Sequence, residues 1–142
     1  GDVRTSVGCV ARIVQLARHP DGQVSLVAVG VQRLRVLEWL PDDPFPRAMV
    51  HAWPDEPDGT GPDTSVVEAL ARLETAVRDL ARLAVELGVA GDLDEEPFSD
   101  DPGLKSFQLA TVSPLGALDR LRVLSEPTLS ARVALLDDLV AE

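Results

Sequence analysis

The chain has 142 residues, 45% of them hydrophobic and 26% charged, and its 24 acids against 13 Lys and Arg leave a formal net charge of −11. That balance suits one globular domain, or one domain with a helical appendage, large enough to bury a core. No apolar run approaches the ~18 residues of a membrane span, and the acidity disfavours nucleic acid and anionic membrane surfaces, both of which are held by basic side chains.

The charge is unevenly spread. Residues 1–53 hold six Arg against five acids, whereas residues 54–142 hold seven Lys and Arg against nineteen. Cys9 is the one cysteine, so no internal disulfide or thiolate metal cluster is available, in keeping with a reducing cytoplasm. Its apolar strand context predicts a buried structural thiol.

Taken in order, Gly1 to Ser6 read as loop or a frayed start. β-Branched residues and partial alternation then predict strands near 7–17, 23–30, 33–40 and 47–53. Pro20-Asp21-Gly22 supplies the turn between the first two, with Gly22 free to take positive φ. Three prolines between Pro41 and Pro46 make a corner that no strand crosses. Residues 54–64, rich in Pro, Gly and Asp, read as a solvated linker.

A helical part follows over 65–142. Ser65 with Glu68 forms a capping-box pattern, and Val66, Leu70, Leu73, Val77, Leu80, Ala84 and Leu87 recur at spacings of four and three up to Gly88. This predicts a helix of ~23 residues whose Leu73, Val77 and Leu80 are buried against later helices and the sheet, in preference to a coiled-coil seam. Ala90–Pro102 reads as a charged loop. Pro97 and Gly103 occupy the places where a calcium loop needs its glycine and its glutamate, so calcium is not expected there. Three shorter helices are predicted: one near Leu104–Val112, one opened by Ser113-Pro114 with Leu115, Leu118, Leu121 and Leu124, and one opened by Pro127-Thr128 with Leu129, Val133, Leu136 and Val140.

The ordered set Val7-Gly8, Asp21-Gly22, Gly30, Arg33, Asp43-Pro44 and Arg47-Ala48, followed by Leu-rich helices with Arg132 near the start of the last, resembles the N-terminal substrate-binding domain of ATP-dependent Lon proteases from about Val7 to Leu139. The resemblance implies an α+β fold, a β-barrel of the PUA-like type followed by a helical bundle. It implies recognition of unfolded or partly unfolded polypeptide for a Lon-type protease, or a stand-alone protein built from the same domain. In that family further strands and a Phe-Glu-x-Arg-Tyr-like segment precede the matching region. None of these is present here, so the barrel is expected to be incomplete, with an open edge near Val7–Leu16 that invites self-association. A small-molecule or RNA-binding barrel and a pure oligomerisation element are the competing readings, and the acidity counts against RNA.

Catalytic chemistry is not assembled. There is no phosphate-cradling Gly-x-x-x-x-Gly-Lys-Ser/Thr loop. His19 and His51, the only histidines, lack a partner at metal-ligand spacing. The Lon-type peptidase uses a serine–lysine dyad in a separate domain. Lys105 beside Ser106 does not reproduce it, because neighbouring helix residues point about 100° apart. No enzyme activity, cofactor or metal is therefore expected. The large side chains gathered at the proline corner, Trp39, Phe45, Met49 and Trp53, are the candidate peptide contacts, since aromatics supply contact area at low entropic cost. Arg132 is expected to pair with a carboxylate or cap a loop, in preference to contacting a ligand.

Overall fold

The computed structural model describes residues 4–59, 63–88 and 97–141. It falls into two compact units, Gly1–Pro54 and Asp55–Glu142.

The first unit is an antiparallel sheet in the order β1-β2-β3, with β1 at Val7–Arg18, β2 at Val24–Leu40 and β3 at Arg47–Ala52. The β1–β2 turn forms as its residues dictate. Gly22 has a φ of 86°, and the Asp21 carboxylate accepts from the Gln23 amide at 3.0 Å. Where the sequence predicts two strands meeting at Gly30, one strand of 17 residues runs through. The chain absorbs the discontinuity as a bulge instead of a turn: Val10 faces Gln32 and Ala11 faces Gly30, which leaves Val31 as the extra residue. Two further irregularities lie at Val14, between the Ile13–Ala28 and Gln15–Val27 pairs, and at Leu37, between the Val36–Val50 and Glu38–Met49 pairs.

The three strands overlap only briefly. β1 pairs with residues up to Arg35, and β3 pairs from Leu34 onward. Among the described residues the sheet is open, and the barrel expected from the sequence is not closed. Both faces carry apolar side chains, and Val10, Ile13, Leu16, Leu26, Val27 and Val29 all remain exposed. Cys9, expected to be buried, is exposed for the same reason: nothing among the described residues covers its stretch of β1.

The second unit packs four helices, α1 at Thr64–Glu86, α2 at Pro102–Val112, α3 at Ala117–Ser125 and α4 at Leu129–Ala141. The length of α1 matches the expected 23 residues, but its cap lies earlier. Asp63, not Ser65, closes the helix start, accepting from the Ser65 amide at 3.0 Å. An aspartate reaches the free amides there as well as a serine does, so Thr64 and Ser65 become the first helical residues. Gly88, at φ 68°, ends the helix as expected.

Asp101 caps α2 through the Leu104 amide at 2.7 Å, and Pro102 occupies the first turn. Ser113 does not open α3. Its hydroxyl donates back to Leu109 O at 2.7 Å and ends α2, so α3 begins only after Gly116. Leu118 is accordingly exposed, and Val123 takes the buried position on that helix. The core is built from Leu70, Leu73 and Val77 of α1, Leu109 and Ala110 of α2, Val123 of α3, and Val133 and Leu136 of α4. Leu80, expected in it, lies outside. The acidic loop predicted at 90–102 falls mainly on residues 89–96, outside the described residues.

Candidate functional site

The four candidate contact residues are placed differently from one another. Trp39 is 40% exposed, Phe45 62% and Met49 50%, whereas Trp53 is only 7% exposed. Trp53 is sandwiched between two guanidinium groups of β2, with Arg33 at 4.1 Å and Arg35 at 3.9 Å from the ring centroid. Arg33 Nε also donates to Trp53 O at 3.1 Å. These contacts follow from alternation: Arg33 and Arg35 project from one face of β2, and that face receives the chain as it leaves β3.

Register separates the remaining three. Trp39 faces Ala48 and Met49 faces Glu38, so Trp39 and Met49 occupy consecutive rows and point to opposite faces of the sheet. The bulge at Leu37 keeps Trp39 on the face of Val36 and Val50, and Val50 is also exposed. Arg4 lies over the Trp39 ring at 4.8 Å and pairs with Asp42 at 3.1 Å. Arg47 Nε donates to Pro41 O at 3.3 Å, which ties the proline corner to the start of β3. Phe45 projects from that corner into solvent. The arrangement is an apolar rim on a restrained loop, with Arg4 and Arg47 beside it paired to the loop's own Asp42 and Asp43.

The helical unit holds a buried network that local sequence patterns do not reveal. Arg132 is fully buried. Its NH1 donates to Asp55 Oδ1 at 2.8 Å, its NH2 donates to Asp55 Oδ2, and its Nε donates to Ser106 Oγ at 2.8 Å. Its guanidinium also covers the Phe107 ring at 4.0 Å. Ser106 in turn donates to Gly103 O at 2.6 Å, so its hydroxyl is committed to structure. Lys105 leaves it altogether and pairs with Glu74 at 3.1 Å.

The stretch read as a linker is fastened by its acids. Glu56 bridges to Thr128, and Asp58 accepts from the Ser130 amide at 2.6 Å. That hydrogen bond, chiefly, holds the Asp58 carboxyl below its ordinary value against a smaller desolvation effect. A cleft of about 540 Å³ is lined by Asp55, Asp58, Asp63, Asp101 and Leu129, among others. Those four aspartates bind Arg132, bind Ser130 and cap α1 and α2 in turn. Among the described residues, no three His, Cys, Asp or Glu side chains converge as a metal site, and no helix is long and apolar enough to cross a membrane.

Comparison with known proteins gives a consistent picture. Residues 3–142 match the family model described as the ATP-dependent protease La (LON) substrate-binding domain. A "Lon protease" from Anaeromyxobacter dehalogenans (strain 2CP-C) is 31% identical over 136 residues, covering 95% of this chain and 16% of the relative. A "Lon protease" from Rhizobium meliloti (strain 1021) is 35% identical over 95 residues, covering 63% of this chain and 11% of the relative. The chain thus spans a small fraction of the length of these relatives. Among solved structures, the N-terminal domain of Mycobacterium avium complex Lon protease aligns with a TM-score of 0.66 at 18% identity, over all of this chain and 73% of that one. A Lon N-terminal domain protein from Xanthomonas campestris aligns at 0.61 and 23% identity, over 98% of this chain and 69% of that one. At those identities the structures speak for the fold alone.

Proposed function

Because the chain belongs to the family of LON substrate-binding domains, we propose that it is a non-catalytic module that binds unfolded or partly unfolded polypeptide on behalf of a Lon-type protease. The observation that carries this reading is the open sheet, whose large apolar side chains stand exposed on both faces and at the proline corner. Folded proteins seldom leave so much apolar surface free, and where they do it serves as a contact surface.

Trp39, Phe45 and Met49 are the contact residues in this reading, with Trp53 available once its two arginines move aside. The outer edge of β1, unpaired among the described residues, offers a second route, since an extended segment, or a second copy of the chain, can add a strand there. The apolar faces also suit one wall of a PUA-like barrel, the architecture implied by the family. The one cysteine, left unpaired, fits a cytoplasmic setting.

The test is to titrate a labelled, permanently unfolded protein against the chain, with the folded form of the same protein as control. The module should bind the unfolded form at micromolar concentrations and the folded form far more weakly. Equal affinity for both, or no binding of either, removes the proposal.

A further inference from the structure

The C-terminal half of α1 carries a leucine ridge that the helical core does not use. Leu70, Leu73 and Val77 face that core, but further along exposure climbs from 37% at Leu80 to 50% at Leu83 and 68% at Leu87. At 3.6 residues per turn these three leucines fall within about 60° of one another, a continuous strip about two turns long. It is flanked on the side away from the core by Asp79 and Glu86. These acids are seven residues apart and therefore stacked two turns apart on one flank. Asp79 is bridged by Arg82 at 3.2 Å. Glu86 has no cationic partner among the described residues. The ridge belongs to a unit whose sequence carries seven basic residues against nineteen acidic ones.

We infer that this ridge is a docking surface for an apolar polypeptide segment flanked by Lys or Arg. The inference rests on reading the chain as a polypeptide-binding module, and it adds a second surface with a defined chemical preference. The leucines supply apolar area, and the acidic flank selects what accompanies it. A cationic residue beside the apolar segment meets Glu86 and the field of the unit, whereas an acidic one meets like charge. Self-pairing of two such ridges is disfavoured by the same geometry, because an antiparallel pair brings Asp79 of one copy toward Glu86 of the other.

The experiment uses the full chain and two fluorescent peptides with the same apolar core, one flanked by lysines and one by glutamates. The lysine-flanked peptide should bind roughly tenfold tighter or better, and the advantage should shrink as salt screens the charges. Leu83→Ser with Leu87→Ser should weaken its binding roughly tenfold, since removing exposed leucines leaves the core intact. Glu86→Lys should reduce or invert the preference between peptides without touching the leucines, so the idea remains testable if the serine variant fails to fold. Equal binding of both peptides overturns the inference, as does a folded serine variant that binds like the wild type. If unfolded protein is bound while neither ridge variant has any effect, the ridge is excluded and the module reading stands. If nothing is bound at all, both fall.

Discussion

Arg132 on the last helix and Asp55 just after the last strand lie 77 residues apart in sequence and form a two-pronged ion pair, with the arginine side chain completely buried. The pair fastens the first residue of the helical unit to α4. A buried guanidinium has lost its hydration, and the fork geometry with carboxylate and serine returns part of that cost.

Removing the carboxylate should therefore be more damaging than its partial exposure suggests. Asp55→Ala leaves a buried cation with the Ser106 hydroxyl and the Phe107 ring but no carboxylate fork, and a loss of ~3–5 kcal/mol is expected. Arg132→Lys should also destabilise, because an ammonium cannot serve Asp55 and Ser106 with the same fork. Urea midpoints check both. A change under about 1 kcal/mol in Asp55→Ala would mean the pair is not closed in solution.

A second prediction separates core from surface on α1. Leu73→Ala should cost ~2–5 kcal/mol, as a large-to-small change in a packed core does. Leu80→Ala, at the edge of the exposed ridge, should cost less than about 1 kcal/mol. Equal costs in denaturant titrations would show that Leu80 is covered after all.

A third concerns the rim of the sheet unit. Trp39→Ala and Phe45→Ala should weaken binding of unfolded protein severalfold while leaving the unfolding curve almost unchanged, because both side chains are exposed. Trp53→Ala should do the reverse and destabilise first, since two guanidiniums and a backbone hydrogen bond converge on it. Normal binding by folded Trp39→Ala and Phe45→Ala variants would clear these residues of a role.

A fourth follows from acid titration. The hydrogen bond from Lys105, the leading cause, holds the Glu74 carboxyl below its ordinary value of 4.5, with desolvation opposing and Arg78 assisting. The Asp58 carboxyl lies below 3.8, chiefly through the Ser130 amide. A carboxyl depressed in the folded state contributes its full stabilisation above the unfolded value and loses it as pH falls through the folded one. The contribution of Glu74 should hold down to about pH 4.5 and that of Asp58 to about pH 3.8, each declining below that. Glu74→Gln should flatten part of that decline in midpoints measured against pH. An identical acid slope in the variant would contradict the Lys105 contact.

Local chemistry made much of this legible in advance. Asp21-Gly22 specified the hairpin, the four-and-three spacing specified the extent of α1, and Pro127-Thr128 announced α4. The misreadings have a common cause. Gly30 looked like a strand end because glycine breaks local pattern, yet the partner strand turned that break into a bulge. Ser65 fits a capping box by spacing, but Asp63 competes for the same amides two residues earlier. Leu80 continues the stripe on paper, although a stripe does not say how far the partner helices extend. The Asp55–Arg132 pair and the Arg33–Trp53–Arg35 stack join residues far apart in sequence, and periodicity carries no information at that range. An aspartate and a tryptophan either side of Pro54, facing an otherwise unexplained arginine on each unit, was the available hint.

The short overlap of the strands shapes how the sheet unit breathes. Among the described residues, only the stretch from Arg33 to Val36 is hydrogen-bonded within a three-stranded section. Everything from Ala11 to Gly30 is a two-stranded ribbon, an arrangement that is marginal in water without further support. The ribbon is thus a separate opening unit, able to separate its strands while the Arg33–Trp53 knot stays intact. Amide hydrogens around Ile13–Arg18 and Val24–Val29 should exchange with solvent long before those at Leu34–Val36. Any partner that covers the ribbon should announce itself first as slowed exchange there.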